Sequence, residues 1–148
     1  EFKTYSADTT LEMEPIKIQF HPVNHPGGAH CFKIQTPLEA IGYATDNELN
    51  IPFGAGERSL IEFYREIDFL VHEAQYFSEE YVQKKGWGHS SLLGALDFVK
   101  ETRAKKWLVT HHDPAHDDVD LVELYKLALQ KCKVPSEWLR DGQVIELK

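Results

Sequence analysis

Three short polar segments carry side chains that bind metal ions: Asn24-His25-Pro26-Gly27-Gly28, Tyr43-Ala44-Thr45-Asp46-Asn47-Glu48 and Thr110-His111-His112-Asp113-Pro114. Neutral imidazole and carboxylate are good ligands for zinc, manganese or iron, and such sites are built on sheet-tip loops because strands hold the ligands rigidly. Taken singly, each residue also has an ordinary role. His25 suits a proline-flanked turn, Asp46 an Asx-turn after a strand, and His111 the end of an apolar strand. His112 and His116 read equally well as groups supporting a metal or as surface residues.

The elements around these segments put each of them at the end of a strand. Along the chain the hydrophobic period switches between two and about 3.6, the mark of a mixed α and β domain. Ile16, Ile18 and Phe20 alternate with Lys17 and Gln19, which predicts a strand running into His21-Pro22 before Gly27-Gly28 turns the chain. Residues 30–34 and 40–44 predict two more strands, the second delivering Thr45-Asp46 at its tip. Residues 47–58, with Pro52, Gly54 and Gly56, read as a loop, and Leu60, Ile61, Phe63 and Tyr64 as a short amphipathic helix. A buried strand is expected over 67–71, a short helix over 79–85 stopped by Gly86 and Gly88, and a longer helix capped by Ser90 or Ser91. Trp107-Leu108-Val109 predicts the strand before His111. Asp117-Asp118 opens a helix through Leu121, Leu124, Leu127 and Ala128, and residues 144–147 are expected to form a closing strand. Residues 11–15 read as a turn and Glu1-Phe2 as a cloning remnant, so 1–15 stay unassigned and 16–148 form one unit.

A chain of 148 residues with 42% hydrophobic and 27% charged side chains suits one compact domain. Its formal charge is −8, and the Lys and Arg residues are scattered, which disfavours nucleic-acid binding by counterion release. No apolar run approaches the roughly 20 residues of a membrane-spanning helix, and no leader pattern opens the chain. A cytoplasmic location without a membrane partner is the expectation. Cys31 and Cys132 lie far apart without metal-ligand spacing and read as reduced thiols.

Five segments in order resemble the C-terminal half of metallo-β-lactamase-fold hydrolases. They are the Asn-His-Pro-Gly-Gly turn, the Tyr-Ala-Thr-Asp-Asn-Glu strand end, Val71-His72-Glu73-Ala74-Gln75-Tyr76, Gly86-Trp87-Gly88-His89-Ser90-Ser91 and Val109-Thr110-His111-His112-Asp113-Pro114. The resemblance covers about residues 16–148 and runs closest to the phosphodiesterase-like branch that includes ribonuclease Z. It implies half of a four-layer αβ/βα sandwich, a mixed β-sheet covered by helices. It assigns His25 and His111 as metal ligands and Asp46 as the carboxylate bridging two divalent ions, with zinc preferred and manganese or iron as alternatives. It also sets His89 beside the scissile phosphate, where it can stabilise charge or assist the leaving group, with Glu73 as its orienting carboxylate. Without the resemblance, His89 reads as a helix-entry residue packed on Trp87, and Glu73 as a strand-end glutamate. His72 reads as structural, on the opposite face of its strand.

The His-x-His-x-Asp-His cluster that brings the family's remaining ligands is absent from these 148 residues, and residues 1–20 hold no histidine. The expectation is therefore a chain that supplies part of a binuclear site and is inactive alone. A missing N-terminal half or a partner chain, a second copy included, would bring the rest. The implied chemistry is attack of a metal-bound hydroxide on a small phosphodiester of the cyclic-nucleotide kind. Two other readings stay open: a noncatalytic interaction domain that has lost its metal, and a di-iron redox protein on the same fold.

Overall fold

A computed structural model describes residues 9–146. Seven strands lie side by side in sequence order. β1 (Thr10–Met13), β2 (Ile16–Val23), β3 (Ala29–Gln35) and β4 (Ala40–Ala44) form an antiparallel meander. From β4 onward the pairing is parallel, through β5 (Phe69–Glu73), β6 (Lys106–Thr110) and β7 (Ser136–Trp138).

Parallel neighbours need crossovers, and the helices supply them: α1 (Ala55–Phe63), then α2 (Ser78–Lys84) with α3 (Leu92–Thr102), then α4 (Asp118–Lys131). Such crossovers are right-handed in nearly all proteins. Three of them stepping across the sheet in one direction put their helices on one face. There α1 packs on α3 and α3 on α4, over a core that includes Leu60, Tyr64, Leu70, Phe98, Trp107 and Leu124.

The other face is apolar as well. The register aligns Ile18 with Ile34 and Ile34 with Ile41, and sets Phe20, Phe32 and Tyr43 in a second row. Phe69 and Val71 extend both rows into β5. Among the described residues no helix covers this face, and Tyr43 is 45% exposed. No helix is long and apolar enough to cross a membrane.

Four expectations from the sequence are corrected. Of residues 11–15, expected as a turn, Glu14 and Pro15 are the turn, whereas 11–13 belong to β1 because their backbone completes the β2 ladder. The strand expected over 67–71 lies further along: Ile67 accepts the Lys105 N–H, the Asp68 carboxylate accepts the Ala40 N–H, and β5 runs through Glu73. α1 starts inside the supposed loop, where the Glu57 carboxylate accepts the N–H groups of Gly54 and Asn50. No strand forms over 144–146, since β7 already occupies the β6 edge and Val144 is 82% exposed. Leu147 and Glu1-Phe2 lie outside the described residues.

Candidate metal centre

The sheet edge at the carboxyl ends of β4, β5 and β6 gathers the chemistry, the place where open α/β sheets hold their ligands. Asp46 follows β4 and His111 follows β6, while His25 stands on the turn between β2 and β3, closed by the Gly28 N–H on the His25 carbonyl at 2.9 Å. Asp46 and His111 both adopt positive φ, 55° and 58°. That left-handed conformation costs an L residue roughly 1–2 kcal/mol. Strain of this kind concentrates at functional sites; Glu66 and Arg103 share it beyond the ends of α1 and α3, while Asp46 and His111 face each other across the edge.

Asp46 Oδ1 lies 3.4 Å from His111 Nε2 and 3.8 Å from His25 Nε2. The His89 ring packs between the other two histidines, with centroids 5.5 Å from His25 and 5.0 Å from His111. One donor atom from each of His25, Asp46 and His89 lies within 4.8 Å of the others, and so does one from each of Glu73, His89 and His111. Four tetrahedral ligands about 2.0–2.2 Å from a zinc-like ion stand roughly 3.3–3.6 Å apart. The Asp46 to His111 spacing meets this and the Asp46 to His25 spacing needs slight closure. Gly27 N–H donates to His25 Nδ1 at 3.2 Å. Ligation by the neutral ring through Nε2 needs the proton on Nδ1, so that contact opens when an ion binds. Imidazoles around one shared carboxylate are a donor set suited to divalent zinc, manganese or iron.

Behind the ligands, Glu73 is fully buried and its carboxylate is fully engaged. It accepts the N–H of Asn47 at 2.9 Å and of Ser90 at 3.1 Å, and pairs with His89 Nδ1 at 3.2 Å. The hydrogen bond that His89 donates to the Glu73 carboxylate raises the His89 pKa against the opposing effect of burial. With Nδ1 occupied, Nε2 is the His89 atom left for other partners. His72, on the helix side of β5, is buried beside Phe98, donates through Nδ1 to the Glu73 carbonyl and faces the Asn47 amide at 3.0 Å. Burial lowers its pKa, in keeping with a neutral structural ring. His112 stacks on Trp138 and His116 pairs with Glu80, so neither joins the cluster.

Sequence reading missed Asn47 and Glu48, which hold the site together. Glu48 is 3% exposed, and its carboxylate accepts from Tyr81 Oη (2.8 Å), Gly86 N (2.8 Å) and Gly88 N (2.9 Å). Its backbone exchanges hydrogen bonds with Asn24, next to His25. One glutamate thus fixes the Asp46 tip, the His25 turn and the approach to His89. A polar run after a strand was the only signal in the sequence, and periodicity does not register it.

Burial pushes the Glu48 carboxyl up, but the hydrogen bonds from Gly86, Tyr81 and Gly88 together hold it below the usual glutamate range. A carboxyl depressed in the fold stabilises it above the unfolded value of about 4.3, and that contribution fades as pH falls through the lower folded value. Glu48→Gln, which turns one acceptor into a donor facing N–H groups, should cost about 2–3 kcal/mol in urea unfolding. The variant should also lose less stability than the parent between neutral and acidic pH. An unchanged urea midpoint would show that the clamp contributes nothing.

No protein-family model matches the chain. Its sequence is 29% identical to ribonuclease Z of Staphylococcus aureus over 72 residues, 49% of this chain and 24% of that protein. The solved metallo-β-lactamase-fold protein YhfI of Bacillus subtilis superposes with a TM-score of 0.77 at 22% identity, covering 94% of this chain and 53% of the other. The short form of human tRNase Z gives 0.67 at 18% identity, over 93% of this chain and 46% of that one. The chain is a metallo-β-lactamase-fold protein, and it spans about half the length of these solved relatives. Within that fold its sequence similarity runs to the ribonuclease Z-like branch.

Proposed function

We propose that this chain forms one side of a metal-dependent phosphodiesterase site. His25 and His111 are ligands in this reading, Asp46 bridges two divalent ions, and His89 acts on the leaving group under the orientation of Glu73. The observation that carries it is the position of Asp46 Oδ1, faced by His111 Nε2 at 3.4 Å and His25 Nε2 at 3.8 Å, with the His89 ring packed against both histidines. Divalent ions held there supply Lewis acidity toward phosphate oxygens and acidify water.

The chain's own contribution is orientation and proton handling. Glu73 fixes His89 Nδ1 and favours the imidazolium, so Nε2 carries a proton toward an oxygen departing from phosphorus. Zinc suits the imidazole and carboxylate donors best, with manganese or iron able to replace it. A small phosphodiester, such as a cyclic nucleotide, fits a chain of formal charge −8 better than structured RNA does. The remaining ligands come from another segment or chain seated on the apolar face of Ile18, Phe32, Ile34, Ile41 and Tyr43, whose aligned rows no helix covers among the described residues.

The 148-residue chain alone should retain less than about one equivalent of zinc after dialysis, because two histidines and a carboxylate leave each ion short of four protein or solvent-closed positions. It should turn over bis-p-nitrophenyl phosphate barely above background. Zinc content and turnover should rise together once the complementary segment is supplied. Two firmly held ions in the lone chain would overturn the shared-site reading, and failure of the complemented, metal-loaded protein to hydrolyse any phosphodiester would overturn the activity.

A further inference from the structure

The segment Gly86-Trp87-Gly88 does more than lead into His89. Trp87 is 61% exposed, and among the described residues its indole makes no hydrogen bond or ring contact. Single exposed apolar residues are ordinary on a protein surface. What sets this one apart is how firmly its backbone is held. The N–H groups on either side of it, those of Gly86 and Gly88, both end on the buried Glu48 carboxylate, and its own N–H donates to the Lys84 carbonyl at 3.1 Å.

The position is also tied to the candidate metal centre. Gly88 has φ of 95°, and a Cβ there would stand 2.2 Å from His25 Cδ2, so only glycine lets the strand of chain pass against that ring. Trp87 and His89 are two residues apart, which limits their Cα separation to about 7 Å. A solvent-facing indole on a firmly held backbone therefore stands two residues from His89, beside the His25, Asp46, His89 and His111 cluster. A chain of formal charge −8 attracts a nucleotide weakly through its net field, and ring stacking needs no cation. Base stacking on an aromatic side chain contributes roughly 1–3 kcal/mol per base and tolerates any base.

We infer that Trp87 is a stacking platform for the nucleobase of a substrate whose phosphate occupies the metal centre. The inference rests on the phosphodiester reading of that centre and adds the group recognised beside the phosphate. Glu48 acts here by fixing the platform, not by touching the base.

Two measurements test it in the complete, metal-loaded protein. Trp87→Ala should raise KM for adenosine 2′,3′-cyclic phosphate about thirtyfold, the middle of the stacking range, with kcat and zinc content near the parent's. Trp87→Phe should recover most of that loss, and glycerol 1,2-cyclic phosphate, which has no base, should be handled equally by all three proteins. The second measurement needs no turnover: adenosine 5′-monophosphate should quench the parent's tryptophan fluorescence, ribose 5-phosphate should not, and Trp87→Phe should abolish the quench although Trp107 and Trp138 remain. Equal losses on both cyclic phosphates, or quenching that survives Trp87→Phe, would overturn the platform. Quenching that depends on Trp87 in a protein that hydrolyses no phosphodiester would sustain the platform and overturn the phosphodiesterase reading alone.

Discussion

In the complete, metal-loaded protein, Asp46→Ala should empty the metal centre and abolish hydrolysis in a single step. Its Oδ1 is faced by both His25 and His111, so in the proposed site its loss would remove a ligand from both ions. Loss of a residue that merely supports a ligand costs metal affinity about 10–100-fold, and loss of a shared ligand should cost more. His111→Ala should deplete mainly one of the two ions. A companion variant separates function from folding. Asp46 sits at φ 55°, where glycine is unstrained, so Asp46→Gly should hold the metal-free fold at equal or greater stability, by up to about 1 kcal/mol, while binding no better than Asp46→Ala. Elemental analysis and thermal unfolding of the two variants decide it. Full metal occupancy in Asp46→Ala would reduce this carboxylate to a strand-end turn residue.

His89→Ala in the complete protein should keep its metals and lose roughly 10²–10⁴-fold in turnover on phosphodiesters, the range of a general acid or base. The loss should shrink for p-nitrophenolate, which departs without a proton. Glu73→Gln should act in the same direction but more weakly, because a neutral amide still orients Nδ1 while stabilising the imidazolium less. Equal losses on good and poor leaving groups would assign His89 to charge stabilisation or positioning instead. The proximity of a His89 nitrogen to donors of His25 and Asp46, within 4.8 Å, gives the metal measurement a second use. A drop in zinc content on His89→Ala would make it a ligand and move the proton-transfer role elsewhere.

The five ordered motifs identified the fold class, and the comparisons with known structures agree on the metallo-β-lactamase fold. Periodicity located α3 and α4 to within a residue or two because each carries a polar cap, Ser91 accepting Gly94 N–H and Asp117 accepting Val119 and Asp120 N–H, ahead of a continuous apolar face. It located β2, β3, β4 and β6 for a related reason: a strand buried on at least one face must write that face into its alternation. β1 and β7 escaped, since Thr10–Met13 and Ser136–Trp138 are short edge strands formed by pairing with a neighbour and carry little burial of their own. The expected closing strand rested on an apolar run, but its described residues, 144–146, form no strand, and β7 takes the place beside β6.

The sequence by itself determined which side chains bear the chemistry: imidazoles and a carboxylate, each beside a strand end, with His89 after a glycine pair and Glu73 beside an apolar run. Their meeting was decided only by the tertiary structure. Two crossovers, which set β4, β5 and β6 parallel, bring the carboxyl ends of these strands to one edge, and no local pattern encodes that convergence. The left-handed backbone at Asp46 and His111 is held by the packing around it, against the preference of both residues. Asn47 and Glu48 look like ordinary loop polar residues in the sequence and become the buried hub of the site only because their partners, Glu73, Ser90, Tyr81, Gly86 and Gly88, arrive from distant parts of the chain. A hydrogen bond across such a separation depends on where two backbones lie in space, and that is set by the whole sheet at once.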